Sequence, residues 1–489
     1  MRGGNNRQRK SRCSVFTLLV HIIFQAAAGV HGSSILDVRS AQAASAAEQS
    51  RTAWLVPHGV PHHIYKANVS AVEAWTPCHP DAYPPGAWVS RTGGGHGQAS
   101  GFGSHLYGTA KVQRFIWAHQ HPSDCSTAKY LLYTPIASGI GSILHQMGQA
   151  LALAIEMQRV LVIAYTPQFP YYSAARCGVG VSFEACYFEP LSSCSWRDAT
   201  EGITDSIPSI NSPSQVTNPA LKTVQMSGHF TASDYHCQSV PPQFHSLLRG
   251  GPIDWDKKHY WWRAQSVAYI VRPNARTLAE LAMRKRRVYP GRQIRRGTIS
   301  VHVRHGDKHI ESTPIPDKVY LAQAEQMARS AAFSWTESLG RAGAHDQAGQ
   351  PNQNRQYGQF GWRGQIRQPI QIRQQARVQL PPIFLSTEDP STIEFFARQP
   401  LWDVSYANVT RKPDVSKSTL SYVEEIGGYE EMLNSLVNLD LALECDAWIG
   451  TLSSNWCRLI DELRATVRCR AHGSFLDAEQ KNPPQELNW

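Results

Sequence analysis

The chain alternates short apolar runs typical of β-strands with helical patterns, and this alternation restricts the possible fold more than any other feature. The first set has a strand candidate at Lys129–Tyr133 and a glycine turn at Gly139–Gly141. An apolar-periodic helix at Ser142–Gln158 and a β run at Arg159–Ile163 follow. A strand, a turn, a helix and a strand in this order are typical of a parallel βαβ unit, so the segment predicts an open α/β sheet.

A second set of the same kind occupies the C-terminal part of the chain. Its strand candidates are Thr298–Val303, Pro382–Ser386 and Asp446–Gly450, with helices predicted from Ser391 and Ser453. Two such sets predict two open α/β domains, each Rossmann-like, that face a cleft. Between the sets lies a helical pattern, which is expected to cover Trp261–Arg276 and to end by Pro273.

Composition marks the segments outside these sets. Asp37 to about Gly108 is rich in Ala, Ser, His, Pro and Gly, which is typical of a stem, and residues 341–380 are rich in Gln, Arg and Gly, which predicts a disordered insertion. The predicted organisation is a basic tail at 1–13, a membrane segment at 14–30, a stem or N-terminal segment at 31–110, a first α/β domain at 111–297, a second at 298–470 and a C-terminal tail at 471–489.

The formal net charge of +10 comes from two short segments. Residues 1–12 hold five basic residues and no acid, and residues 341–380 hold six arginines and one aspartate, so the rest of the chain is balanced. Proteins that bind a duplex usually spread basic residues over one face of a domain, so we expect no nucleic-acid partner. A basic loop that contacts RNA or anionic lipid is the alternative for the second segment, but it lacks a regular apolar or aromatic face.

An uncharged apolar stretch at Ser14–Val30 follows the basic tail, and the next charge is at Asp37. A helix of this length spans about 26 Å, slightly less than a hydrocarbon core of about 30 Å. The stretch is expected to remain as a signal-anchor that leaves the rest of the chain in the lumen. The alternative is a signal peptide cleaved near residues 28–34, which would leave a secreted protein.

The cysteines agree with an oxidising compartment. Nine of the ten follow the membrane segment and lack the paired CxxC spacing of a zinc site, so disulfides are expected, with one thiol left free by the odd number. Two sequons, at Asn68 and Asn408, are compatible with N-glycosylation in the lumen.

The segment Ile299–Lys308 is an alternating apolar strand that ends abruptly in polar residues. Ligands of open α/β sheets bind at the carboxyl ends of the strands. Arg304 supplies a planar fork and Lys308 a point charge, and both suit a phosphate. A charged surface turn is the competing interpretation.

Three further segments combine glycines, hydroxyls or acids with predicted element ends. Ser453 and Ser454 precede a predicted helix, where backbone N–H groups and hydroxyls form an anion site, although an ordinary serine N-cap explains the same pattern. The Gly139–Gly141 turn is followed one helical turn later by His145. Thr387–Ser391 puts two carboxylates at a strand end, where helix capping competes with sugar or ribose binding.

Together these motifs resemble the alpha-1,6-fucosyltransferase family, which includes the N-glycan core fucosyltransferase and the rhizobial nodulation enzyme. Six motifs occur in the order of that family over roughly residues 115–470. They are His121–Ser126, Gly139–Gly141 with His145, Trp261–Trp262 to Arg272–Pro273, His302–Arg304 to Lys308, Thr387–Ser391, and Ser453–Ser454.

The resemblance implies a GT-B-like fold and an inverting transfer of fucose from GDP-fucose to a glycan or glycoprotein, without a metal or another cofactor. The most specific expectation is alpha-1,6 transfer to N-acetylglucosamine of the N-glycan core by a Golgi type II membrane protein. The first domain would face the acceptor and the second would bind GDP-fucose. The sequence has no Asp-x-Asp at a strand end that would hold a divalent ion on a diphosphate.

The resemblance also assigns roles to individual residues. Arg304 would bind the β-phosphate, Lys308 would assist it, and Glu311 is the candidate base. The implied disulfide joins Cys125 and Cys194. The expected donor-binding residues are Gly139, Gly141, His145, His302, His305, Asp307, Glu388, Asp389, Ser453 and Ser454.

Three positions depart from the family pattern. His305 stands where the family has a second arginine, Ser312 stands at the position of the catalytic glutamate, one residue after Glu311, and Asn438 replaces an aspartate. These departures keep open the alternative of an inactive lumenal protein of the same fold that binds glycans or nucleotide sugars.

A more remote alternative is a histidine-type phosphatase, because Arg304-His305-Gly306 begins the RHGxRxP motif whose histidine is phosphorylated. The next two motif positions are Lys308 and Ile310, which do not match.

Overall fold

The computed structural model describes ten segments of the chain, which are residues 75–77, 83–89, 104–227, 240–253, 255–291, 293–306, 313–329, 380–411, 419–470 and 475–479. None of the helices in these segments is both long enough and apolar enough to span a membrane. The predicted basic tail, the predicted membrane segment, residues 341–379 of the predicted insertion and Asn68 lie outside the described residues.

The described residues form ten strands and thirteen α-helices. The strands are β1 Trp75–Pro77, β2 Ser104–Leu106, β3 Tyr130–Thr134, β4 Val160–Ile163, β5 Thr223–Ser227, β6 Ile299–Val303, β7 Ile383–Thr387, β8 Val404–Tyr406, β9 Ala447–Gly450 and β10 Phe475–Asp477. The helices are α1 Thr109–Gln120, α2 Ile140–Glu156, α3 Ala174–Cys177, α4 Phe183–Tyr187, α5 Trp196–Thr200, α6 His245–Arg249, α7 Lys258–Ile270, α8 Ala275–Val288, α9 Asp317–Arg329, α10 Pro390–Ala397, α11 Thr419–Ile426, α12 Gly428–Glu444 and α13 Asn455–Ala465.

Five parallel strands form the larger sheet, in the order β10-β9-β6-β7-β8. Strands β6 and β7 are in register from Ile299 opposite Ile383 to Val303 opposite Thr387. Their carboxyl ends therefore lie side by side, and the polar residues that follow each strand emerge at one edge of the sheet. This edge is where open α/β sheets bind ligands.

The smaller sheet contains three parallel strands in the order β4-β3-β5. Strands β3 and β4 are continuous apolar runs that are nearly all buried. Leu131 and Leu161 pack on one face of the sheet, whereas Leu132 and Val162 pack on the other. Burial on both faces is the reason that parallel strands have unbroken apolar sequences. Two open parallel α/β sheets facing a cleft form the GT-B-like fold that the sequence predicts.

The smaller sheet belongs to the first half of the protein and the larger sheet to the second half. Three helices join the two halves, because α2, α7 and α13 pack on one another and share one hydrophobic core. The carboxylate of Glu462, on α13, is fully buried in this joint. It contacts His145 Nε2 of α2 at 2.7 Å and Arg263 Nε of α7 at 2.9 Å. A single carboxylate therefore links all three helices.

The helix expected over Trp261–Arg276 is two helices in the structure. Helix α7 ends at Ile270, and α8 begins at Ala275 after a break that contains Pro273. Asn274 caps the second helix, since its side chain accepts a hydrogen bond from the backbone N–H of Thr277 at 2.9 Å. The predicted end before Pro273 is confirmed, whereas the last residues of the predicted range belong to the N-cap and first turn of the next helix.

The predicted boundary at residue 470 is too early. Strand β10 follows it and adds a parallel edge strand to β9, with the ring of Phe475 stacked on Trp448 at 4.1 Å. The predicted stem also contributes to the core, because Tyr83 and Trp88 are buried there. The Tyr83 hydroxyl donates to the carbonyl of Thr466 at 3.0 Å. Two aromatic side chains thus attach this segment to the second half.

The structure contains the Cys125–Cys194 disulfide that the family resemblance implies, and a second one between Cys177 and Cys186. The expectation of a single free thiol was wrong, since two of the described cysteines, Cys445 and Cys457, are free. Both are buried in the core, so they act there as small apolar side chains.

We expect removal of the longer disulfide to destabilise the protein more than removal of the shorter one. Cys125 and Cys194 are 69 residues apart and Cys177 and Cys186 only 9. The chain-entropy model gives about 4 kcal/mol for the first loop and about 3 kcal/mol for the second. Urea unfolding of the two double cysteine-to-alanine variants measures both. An equal loss for the two variants would contradict this expectation.

Candidate functional site

An open cavity of about 250 Å³ lies between the two halves. The first half contributes the glycine turn before α2 and Tyr171, and the second half contributes the residues after β6, β7 and β9 and one face of α12. The cavity therefore occupies the edge of the larger sheet at which the sequence predicts a ligand.

Two helices begin at this cavity, one from each half. Gly139 and Ser454 are their N-cap residues. Gly139 has no side chain that could cap its helix, and the side chain of Ser454 makes no capping hydrogen bond. The first backbone N–H groups of a helix have no partner within it, and the helix dipole makes them attractive to anions. The two helix starts are joined by a 2.8 Å hydrogen bond from Asn455 Nδ2 to Ser142 Oγ.

Gly141 allows the two helix starts to approach closely. A Cβ atom at this position would lie 2.9 Å from the backbone of Asn455 and of Trp456, which is closer than real Cβ contacts. The sequence predicts a ligand role for Gly139 and Gly141. The structure gives Gly141 a packing reason as well, because only glycine lets both dipoles converge on one cavity.

An ion pair between Arg304 and Glu388 lies on the cavity wall. These residues follow β6 and β7, and their side chains meet at 2.5 Å between Nη1 and Oε1. Gly306 makes room for the pair, since a Cβ there would lie 2.6 Å from both of these atoms. The positive φ of +39° at Gly306 also favours glycine. The structure thus brings together Arg304, the predicted phosphate ligand, and Glu388, one of the two predicted acids.

Two buried polar atoms on the cavity wall have no hydrogen-bond partner among the described residues. His302 bonds Ser386 Oγ through Nδ1 at 2.9 Å, which leaves Nε2 unpaired. Asn438 donates from Nδ2 to the carbonyl of Asn434 at 2.8 Å, which leaves Oδ1 unpaired. Burial lowers the pKa of His302 to about 4, so its ring is neutral at pH 7. Buried polar atoms are normally paired, so these two indicate a ligand site.

His305 and Asp389 were predicted to bind the donor, but neither lines the cavity. His305 Nδ1 bonds Asp389 Oδ2 at 2.9 Å, and Nε2 bonds the carbonyl of Ile315 at 2.8 Å. Burial opposes the charge on the ring, but these hydrogen bonds and Asp317 outweigh it and raise the pKa of His305 to about 9. The hydrogen bond from His305 lowers the pKa of Asp389 to about 2.

Asp389 also has a structural role. Asp389 Oδ1 accepts a hydrogen bond from the backbone N–H of Ser391 at 2.8 Å and so caps α10. The imidazolium therefore anchors the loop after β6 to the start of α10. The structure thus places both residues in this tie behind the cavity wall, and their donor-binding role stays a prediction.

His145, also predicted to bind the donor, does not line the cavity either. Its ring contacts Glu462 and Asn455, the latter at 3.2 Å, behind the helix starts and away from the cavity lining. The position is one turn into α2, where the helix faces α13, so the side chain serves the joint between the halves.

Ser453 and Ser454 both line the cavity, as predicted. The hydroxyl of Ser453 donates to the Glu479 carboxylate. Asp307, Lys308 and Glu311 lie outside the described residues. Asn408 is exposed just after β8, in a position where a glycan would be accessible.

Sequence reasoning missed four charged or phenolic groups on the cavity wall, namely Tyr171, Arg411, Tyr422 and Glu431. Arg411 donates to the carbonyls of Thr387 and Ala407, at 3.0 and 2.8 Å, and so connects the loops after β7 and β8. The sequence of α12 contains a pattern from which its cavity-lining face could have been predicted. Glu431, Asn434, Ser435 and Asn438 recur at helical spacing in an otherwise apolar helix, which indicates a polar stripe.

The described part of the chain contains no group of three or more His, Cys, Asp or Glu side chains that could hold a metal ion.

No family model and no curated protein matches the chain. Among solved structures it is similar to NodZ alpha-1,6-fucosyltransferase soaked with GDP-fucose, at 14% identity over 68% of this chain and 92% of that chain, with a TM-score of 0.32. NodZ has also been solved as the fucosyltransferase from Bradyrhizobium.

Two further structures are similar at about the same level. The Arabidopsis thaliana FUT1 mutant in complex with GDP has 11% identity over 73% of each chain and a TM-score of 0.35. POFUT1 in complex with GDP-fucose has 10% identity over 73% of this chain and 99% of that chain, with a TM-score of 0.35.

Proposed function

We propose that the protein is a glycosyltransferase that moves fucose from GDP-fucose to a glycan acceptor with inversion at the anomeric carbon. One observation carries the proposal. A guanidinium, two helix starts and two unpaired buried polar atoms converge on one cavity between two open α/β sheets. These groups suit a nucleoside diphosphate, and four of the six motifs that resemble alpha-1,6-fucosyltransferases contribute residues to the lining of the same cavity.

The diphosphate would lie at the converging helix starts. The N–H groups after Gly139 and Ser454 can donate to its oxygens, and Arg304 can offer two parallel N–H donors. Arg304 is paired with Glu388 in the structure. Binding of the diphosphate would therefore exchange a carboxylate for a phosphate on the guanidinium and release Glu388 toward a hydroxyl of the ligand.

The nucleobase would form hydrogen bonds with the two unpaired atoms. Asn438 Oδ1 accepts hydrogen bonds, and the neutral ring of His302 can present an N–H at Nε2 while Nδ1 accepts from Ser386. A base edge that has both donors and an acceptor satisfies this arrangement. Guanine has such an edge, with its N1–H and amino group as donors and O6 as the acceptor.

The chemical step breaks the bond between the anomeric carbon and the β-phosphate oxygen, and the electron pair leaves on GDP. The acceptor oxygen forms a new bond to the opposite face of the same carbon and loses its proton. Negative charge gathers on the diphosphate in the transition state, so positive groups fixed in advance give the largest acceleration. Arg304 and the two helix starts are such groups.

The acceptor is proposed on the resemblance alone to be N-acetylglucosamine of an N-glycan core, joined through an alpha-1,6 linkage. The protein would act in the Golgi lumen. A panel of core N-glycan, chitin oligosaccharide and peptide acceptors, with the linkage of each product determined, tests this step separately from use of the donor.

The phosphatase alternative is disfavoured by the geometry of His305. Both of its ring nitrogens are engaged, with Asp389 and with the carbonyl of Ile315, and the ring does not line the cavity. A phosphorylated nucleophile needs a free nitrogen that faces the substrate.

We expect the purified protein to release GDP from GDP-fucose in the presence of EDTA. The reason is that side-chain and backbone donors would supply the positive charge that a metal provides in other transferases. Coupled detection of GDP with and without chelator measures this. An activity that vanishes with EDTA and returns with manganese would contradict the proposed mechanism, and GDP-fucose binding without turnover would favour the inactive alternative.

A further inference from the structure

Glu431 lines the cavity and lies in the first turn of α12, where this helix meets the first half. The helix begins at Gly428, and a Cβ there would overlap the backbone of Pro170. Tyr171, the next residue of that first-half segment, lines the same cavity. Asn438 lies two turns further along the helix. From its contact with the first half, the helix therefore runs past Glu431 toward Asn438, where the nucleobase is proposed to bind.

The side chain of Glu431 is also close to the phosphate end of the cavity. Its carboxylate interacts electrostatically with Glu388 and with Arg411. Glu388 in turn contacts Arg304 at 2.5 Å. Glu431 and the guanidinium proposed to hold the leaving diphosphate therefore both interact with Glu388. The reacting carbon of a sugar nucleotide is bonded to that diphosphate.

The hydrogen bonds of Glu431 leave one oxygen available. Ser435 Oγ donates to Oε1 at 3.1 Å, and Oε2 accepts no hydrogen bond from any described residue. The charged or phenolic groups that face this carboxylate are Glu388 after β7, Arg411 after β8 and Tyr422 on α11. Burial raises the pKa of Glu431 to about 7, with Glu388 adding to the rise and the Ser435 hydrogen bond and Arg411 opposing it.

We propose that Glu431 is the general base of the reaction and takes the proton of the acceptor hydroxyl. The inference rests on the proposed function and assigns a step that the family resemblance gives to Glu311. The acceptor oxygen attacks the anomeric carbon while its proton passes to Glu431 Oε2, and the bond to GDP breaks with its electron pair on the β-phosphate. The product is the fucosylated acceptor, GDP and a neutral Glu431. A base matched to neutral pH is effective in such a step.

The first test replaces the acid by its amide. Glu431→Gln should lower kcat for fucosyl transfer on the order of 10²-fold, which is the usual contribution of a general base, and leave the affinity for GDP unchanged. Glu424→Gln on α11 is the matched control, because it makes the same charge change at an exposed position and should keep full activity. Thermal melting of each variant establishes that it is folded.

The second test moves the pKa and keeps the acid. In the wild type, kcat/KM for transfer should rise with pH through about 7, because a base acts only when it is deprotonated. Ser435→Ala removes the hydrogen bond that lowers the pKa of Glu431. The rising limb of the profile should therefore shift to higher pH in this variant. It should disappear in Glu431→Gln.

The outcomes separate this inference from the proposed function. Absence of fucose transfer by the wild type, with every acceptor of the panel, would reject the proposed function itself. If the wild type transfers fucose, full activity of Glu431→Gln or an unmoved profile in Ser435→Ala would overturn the role of Glu431. Loss of GDP binding in Glu431→Gln would overturn it in favour of a donor contact. Loss of the rising limb in Glu311→Gln alone would assign the base to Glu311.

Discussion

Replacement of Arg304 by alanine should reduce the turnover of GDP-fucose on the order of 10²-fold or more. The guanidinium lies at the carboxyl end of β6, beside Glu388 and within the cavity. Its removal takes away a charge aimed at the leaving diphosphate, and loss of one such electrostatic contact costs about 10²–10³ in kcat. Steady-state release of GDP measures the effect.

Two further variants make this expectation specific. Arg304→Lys should recover little, because an ammonium is a point charge and cannot offer two parallel donors to a phosphate. Arg398→Ala removes an arginine whose side chain is 77% exposed, and it should leave turnover unchanged. Turnover in Arg304→Ala within a few-fold of the wild type would show that the diphosphate lies elsewhere.

Replacement of Glu462 by glutamine should destabilise the protein by about 3–5 kcal/mol, which is the range for breaking a buried ion pair by removing one partner. The carboxylate is fully buried, and Arg263 is nearly so. The substitution keeps the shape of the side chain but leaves the arginine charge in the core without a counter-charge. Urea unfolding measures the loss.

The matched control is Glu394→Gln, which breaks an exposed pair with Arg398 on α10. Exposed pairs contribute about 0–1 kcal/mol, so this variant should unfold close to the wild type. Equal unfolding midpoints for Glu462→Gln and Glu394→Gln would mean that the buried pair adds nothing to the joint between the halves.

The strands could be predicted from the sequence because each has a local cause. β6 and β7 are short apolar runs bounded by polar residues. The predicted end of β6 agrees with the structure, and the other three predicted strand limits differ from it by one residue. The family resemblance placed Arg304 and Glu388 in one donor site. The structure brings the two side chains into contact, because the carboxyl ends of the parallel strands β6 and β7 meet at one edge.

The partners of the histidines could not be predicted in the same way. His302, His305 and His145 all fall in motifs of the resembled family, yet only the first lines the cavity. His145 contacts Glu462, 317 residues away, and His305 contacts Asp389, 84 residues away. Such pairings depend on which side chains the tertiary fold brings together, and periodicity in the sequence carries no information about them.

The joint between the halves has a consequence for how a ligand is received. Many two-domain enzymes open and close about a hinge, but here three packed helices share one core, and a hinge motion would pull Glu462 away from His145 or Arg263. Separation from Arg263 would leave two buried charges without a partner in a medium of low dielectric constant, and separation from His145 would break a buried hydrogen bond. The cleft is therefore preformed. The conformational entropy needed to order its walls is lost when the chain folds, and not when the sugar nucleotide binds.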